Sequence, residues 1–92
     1  PVRIGFVGRL SSERSPGLFL HVASALLKSP SVSRAAAHRM RFVMAGSGPL
    51  MGHLRELADN LGMLDRMDFA GDVEASGMPE FLRSLDVLIN PC

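Results

Sequence analysis

Cysteine occurs once in the 92 residues, at Cys92. No disulfide can therefore form within the chain, and this cysteine usage favours a reducing compartment. No apolar run approaches the roughly 20 residues needed to span a bilayer, and no signal-peptide pattern precedes the first strand-like segment. Charge of one sign is also scarce. Nine arginines and a single lysine are scattered among nine acids for a formal net charge of +1, so the sequence offers no basic stripe for nucleic acid and no membrane-contacting patch. His21, His38 and His53 have no metal-ligand spacing with one another or with Cys92, so no metal site is expected. Ser47 lies outside any Gly-x-Ser-x-Gly elbow, which leaves nucleophilic hydrolysis without support.

What is present is apolar and periodic. Hydrophobic residues make up 47% of the chain, too many for disorder and suited to one compact domain or a part of one. The chain starts at Pro1 without an initiator methionine and stops at Cys92 just after the strand-like "DVLINP", so residues 1–92 are expected to be one partial domain of a longer protein. "VRIGFV" and "MRFVMAG" read as buried strands, "RMDFAGD" as a shorter third and "DVLINP" as a fourth. Between them lie three helical segments. Ser15 and Pro16 start the first, as N-cap and first helical position. Its expected buried stripe is Leu18, Val22, Ala25 and Leu26, joined by Phe19 and Ala23. The second carries Leu50, Leu54, Leu57, Ala58 and Leu61 and stops at Gly62. The third, "GMPEFLRSL", is expected to bury Met78, Phe81, Leu82 and Leu85. A further helical turn fits Arg34 to Ala37. Strands and helices in alternation predict an α/β, Rossmann-like fold, with a parallel sheet and right-handed crossovers.

In such sheets ligands bind beyond the carboxyl ends of the strands, which gathers "GRLSSER", "GSGP" and "GDVEASG" on one rim. The first loop ends at a helix N-terminus, where free amides and the helix dipole favour anions. Arg9 and Arg14 add two planar forks of donors that match phosphate oxygens, and Gly8 lets the backbone approach a ligand. A phosphate or diphosphate clamp is one reading of the two arginines; a solvated pair, one of them bonded to a nearby carboxylate, is the other. Gly46 and Gly48 form a second backbone cradle. Extended to Gly52 the spacing becomes Gly-x-Gly-x-x-x-Gly, with Asp72 twenty residues further on, which admits an NAD(P)-binding alternative. Against it, the dinucleotide fingerprint follows the first strand of its unit and has glycine where Pro49 and Leu50 fall.

Taken together and in order, "VGRLSSERSPG", "FVMAGSGP", "FAGDV" and "LDVLINPC" resemble the carboxyl-terminal domain of GT-B glycosyltransferases of group 1, or family 4. The resemblance runs from about Ile4 to Cys92. It implies a retaining transfer of sugar from a nucleotide-diphosphate donor to an acceptor of unknown identity, with no resident cofactor and no bound metal. By position, the family's diphosphate-contacting arginine and lysine fall on Arg9 and Arg14, the lysine being replaced here by arginine. The resemblance also sets Gly8 near the diphosphate, Gly46 and Gly48 in the nucleotide pocket, and the backbone of Asp72 and Val73 at the edge of the base. It further implies an amino-terminal acceptor domain, a glutamate pair beyond Cys92, a donor site facing the cytosol, and no transfer by these 92 residues alone. A non-catalytic nucleotide-binding module on the same scaffold is the alternative within this fold.

Overall fold

The computed structural model describes residues 1–11 and 16–89. Its elements follow the expected alternation: β1 (Val2–Val7), α1 (Pro16–Lys28), α2 (Arg34–His38), β2 (Met40–Ala45), α3 (Met51–Asn60), β3 (Met67–Gly71), α4 (Met78–Arg83) and β4 (Val87–Leu88). The four strands form one parallel sheet in the order β3-β2-β1-β4. Every strand therefore ends on the same rim, and the loops that leave those ends can meet there. No described helix is long and apolar enough to cross a membrane.

Side chains alternate across the sheet with the two-residue period of a strand. Ile4 and Phe6 of β1, Phe42 and Met44 of β2, and Met67 of β3 point to one face and join Phe19, Leu20 and Ala23 of α1 with Leu54 and Ala58 of α3 in a single core. Phe19 lies at its centre, with ring centroids 5.7 Å from Phe6 and 6.4 Å from Phe42 in tilted and edge-on arrangements. Such ring pairs add about 0.5–1.5 kcal/mol beyond the area they bury. On the opposite face Gly5 leaves room for Leu85, whose side chain reaches to 2.5 Å from where a Cβ would stand.

The phase of α1 differs from the sequence expectation. Pro16, Phe19, Leu20, Ala23 and Ser24 are buried, whereas Leu18 and Val22 are 49% and 39% exposed and Ala25 also faces outward. Leu26 is half-buried. The helix is apolar on nearly every side, so spacing alone supports more than one stripe. The stripe that packs is the one that carries the bulky Phe19 and Leu20 into the core, with the small Ala23 and Ser24 buried one turn further on. Of the residues expected to be buried by the third helical segment, Met78 and Phe81 of α4 and Leu85 just beyond it are only half-buried, and Leu82 is 40% exposed.

The stripe of α3 agrees with the expectation: Leu54 and Ala58 are buried and Leu50, Leu57 and Leu61 pack against the core. Gly62, at φ +70°, stands after the helix end in the left-handed conformation expected of a stop. The helical turn over Arg34–His38 is also present, with Ser33 as N-cap accepting a hydrogen bond from the Ala36 amide at 3.0 Å. The last strand is brief, and its Val87 and Leu88 are 46% and 51% exposed on an open sheet edge. The expected N-cap Ser15 lies outside the described residues, as do Asn90, Pro91 and Cys92.

The two phases of α1 give opposite results on substitution. Phe19→Ala should lower the unfolding free energy by about 3–5 kcal/mol, while Val22→Ser should shift it by no more than about 0.5 kcal/mol. Urea unfolding curves of the two variants decide between the stripes, and a larger loss at Val22 would restore the expected one.

Candidate functional site at the sheet rim

The three glycine-bearing loops meet at the carboxyl ends of β1, β2 and β3, and they do so backbone to backbone. The Gly8 amide donates to the Ala45 carbonyl at 3.1 Å, the Leu10 amide to the Ser47 carbonyl at 3.0 Å, and the Leu50 amide to the Leu10 carbonyl at 3.1 Å. The loop after β3 joins through the Gly46 amide, which donates to the Gly71 carbonyl at 2.7 Å. A register shift between Met44 and Ala45 precedes that bond and brings Gly71 opposite Ala45. Leu10, wholly buried, anchors the first loop in the core.

Two glycines make this lacing possible. Gly46 has φ +128°, a conformation that residues with a Cβ rarely adopt, and a Cβ there would collide with the Gly8 carbonyl oxygen. At Gly48 a Cβ would collide with the backbone of Leu10, including the amide nitrogen at 2.9 Å. Gly52, the third glycine of the dinucleotide-like spacing, has nothing within 4 Å of its would-be Cβ. In a dinucleotide fingerprint that last glycine serves close helix–strand packing, so the geometry around Gly52 does not support the NAD(P) alternative.

Between the loops lies a cleft of about 170 Å³ lined by Val7, Gly8, Ala45, Gly46, Asp72, Val73 and Met78. Four of the residues singled out in the sequence, Gly8, Gly46, Asp72 and Val73, thus share one cleft. Gly48 does not line it and instead supports the Leu10 turn beside it. Arg9 follows Gly8, is exposed, and has no hydrogen bond or ion pair with the described residues. Arg14 lies outside the described residues. The cleft is smaller than the roughly 300–1,000 Å³ typical of small-molecule pockets. Its volume has room for only one part of a ligand of nucleotide size.

Ser47 and Met78 are contributors that the sequence does not single out for this site. The Ser47 hydroxyl lies 2.9 Å from both carboxylate oxygens of Asp72, to which it donates, and so ties the loop after β2 to the loop after β3. A serine between two glycines is the only signal of it in sequence. Met78, the first residue of α4, completes the lining of the cleft. A larger open hollow of about 640 Å³ runs along Arg34, Ala35, His38 and Arg39, but one short helix and its end provide all of that lining, with no second element converging on it. His21, His38 and His53 are all exposed, and the described residues contain no cluster of three or more potential metal-binding His, Cys, Asp or Glu side chains.

A sequence model of the family described as "Glycosyl transferases group 1" matches residues 1–92. The chain belongs to that family. A curated relative, the 2-deoxystreptamine N-acetyl-D-glucosaminyltransferase of Streptomyces fradiae, is 28% identical over 88 residues, which is 96% of this chain and 20% of the relative. Among solved structures, the catalytic domain of the cholesterol-alpha-glucosyltransferase from Helicobacter pylori superposes with a TM-score of 0.76 at 23% identity, covering 98% of this chain and 50% of that one. HepE of Anabaena, in complex with UDP and glucose, gives a TM-score of 0.70 at 18% identity over 94% of this chain and 22% of that one. The chain therefore spans about a fifth of the length of the curated relative, and its fold is the α/β, Rossmann-like one of GT-B glycosyltransferase domains.

The lacing makes a prediction about three glycines. Gly46→Ala and Gly48→Ala should each cost more than about 2 kcal/mol, through strain or backbone collision. Gly52→Ala, on an open helix face, should stabilise by about 0.4–1 kcal/mol. Parallel urea titrations of the three variants test this ordering.

Proposed function

We propose that this chain is the donor-binding part of a retaining glycosyltransferase, which takes a sugar from a nucleotide-diphosphate donor to an acceptor held by the rest of the protein. The observation that carries the reading is the convergence of Gly8, Gly46, Asp72 and Val73 on one cleft at the strand ends, in a chain of the group 1 family. The crevice outside the carboxyl ends of the strands is where open α/β sheets hold nucleotides.

The chemistry follows from charge. As the bond between sugar and nucleotide breaks, negative charge grows on the departing diphosphate. Cations already in place stabilise that charge more than they stabilise the intact donor, and the difference lowers the barrier. Arg9, exposed beside Gly8 and with its guanidinium uncommitted among the described residues, is the cation assigned to this role together with Arg14. Both stay charged at any working pH and can grip phosphate oxygens in pairs. The backbone of Gly8 approaches the diphosphate, while Asp72 and Val73 edge the nucleoside.

Arg9→Ala and Arg14→Ala should each weaken nucleoside diphosphate binding by roughly ten- to a hundredfold, the equivalent of a lost charged hydrogen bond. Binding of the bare nucleoside should change little. Calorimetric titration with both ligand forms checks this, and equal losses for diphosphate and nucleoside would remove the phosphate clamp.

A further inference from the structure

Three of the seven residues that line the cleft, Asp72, Val73 and Met78, belong to the stretch that leaves β3 and enters α4. At its root the Gly46 amide donates to the Gly71 carbonyl at 2.7 Å. Beyond that bond the backbone contacts of residues 72–77 are local, as between the Gly77 amide and the Glu74 carbonyl at 2.9 Å. Among the described residues, the one hydrogen bond from residues 72–77 to another loop is that of Asp72 with the Ser47 hydroxyl, 2.9 Å from each carboxylate oxygen. We infer that Ser47 is a positioning residue of the donor site, holding the Asp72 and Val73 side of the cleft in place against the Gly8 and Gly46 side. The inference rests on the donor-binding reading and deepens it.

Both ends of this strut fit the role. Ser47 is fixed by its surroundings: its carbonyl accepts the Leu10 amide at 3.0 Å, and Gly46 and Gly48 on either side press against the backbone of the first loop. The hydroxyl is thus presented by a turn with little freedom. At the other end Gly71 has φ +72° and nothing within 4 Å of its would-be Cβ, so packing at that joint does not set the direction in which the loop leaves β3. A polar bond one residue further on supplies the restraint that packing there does not. The hydroxyl has a single proton, and it is directed at the carboxylate of Asp72. Because the strut sets the position of backbone, its action does not depend on which base a donor carries. Without it the loop has to be ordered when the ligand arrives, and the entropy of that ordering is subtracted from binding.

Ser47 and Asp72 are both exposed, so water competes for the bond and the effect is modest. The test combines calorimetric titration of the protein with UDP, GDP, ADP and CDP and NMR relaxation of its backbone amides. Ser47→Ala, Ser47→Thr, Asp72→Ala and the double alanine variant are compared, with melting curves confirming that each is folded. Ser47→Ala should weaken the most tightly bound nucleotide by about three- to tenfold, and Ser47→Thr, which keeps the hydroxyl, should restore it. In the ligand-free protein, Ser47→Ala should lower the order parameters of residues 73–77 from about 0.85 towards 0.6 and leave those of Gly8, Leu10 and Leu50 unchanged. Because Ser47 acts through the carboxylate, the double variant should bind no more weakly than Asp72→Ala. Unchanged binding or unchanged order parameters in Ser47→Ala, no rescue by threonine, or a further loss in the double variant overturns the positioning role and leaves donor binding intact. Failure of the folded, unaltered protein to bind any of the four overturns the donor-binding reading, and this inference with it.

Discussion

Two glycine turns pressed backbone against backbone set the geometry of the rim. Gly46 lies under the Gly8 carbonyl and Gly48 against the Leu10 backbone, with neither leaving space for a side chain. Because the amides and carbonyls of the two loops satisfy one another, the turns need no side chains or water between them. The cleft is the residue of that close approach. Its walls are joined by hydrogen bonds that run between the loops, and the buried Leu10 beside it anchors the first loop in the core.

Parallel strands explain why these loops can meet. Each strand of the sheet ends at the same rim, so three turns far apart in the chain become neighbours once β1, β2 and β3 pair. The apolar core beneath them then serves the site indirectly. Phe19 binds α1 to both β1 and β2 through its ring contacts with Phe6 and Phe42, and the start of α1 is thereby held near the end of β1. Stability and site geometry share one set of contacts.

On the proposed reading, charge is divided along the rim. Arginine belongs to the loop after β1 and aspartate to the loop after β3. A ligand with an anionic end and a hydrogen-bond-donating end is oriented by that polarity in a single direction. Ser47 ties the aspartate to the loop after β2, its hydroxyl standing 2.9 Å from each carboxylate oxygen with one proton to share between them.

Periodicity and turn chemistry are local properties, and the sequence by itself determined what depends on them: the alternation of strands and helices, the stripe of α3, the stop at Gly62, and the three glycine-bearing loops. The phase of α1 was not legible, because a helix apolar on nearly all sides leaves several stripes possible and only the partner surface chooses Phe19 and Leu20 over Leu18 and Val22. Likewise "GSGP" reads as a cradle, yet Gly46 lines the cleft while Gly48 supports Leu10, a division set by what lies across from each. The pairing of Ser47 with Asp72 spans 25 residues and leaves no spacing pattern to read. Such contacts exist only after the register between strands is fixed, and that register comes from the packing of the whole core, so the tertiary structure alone decided them.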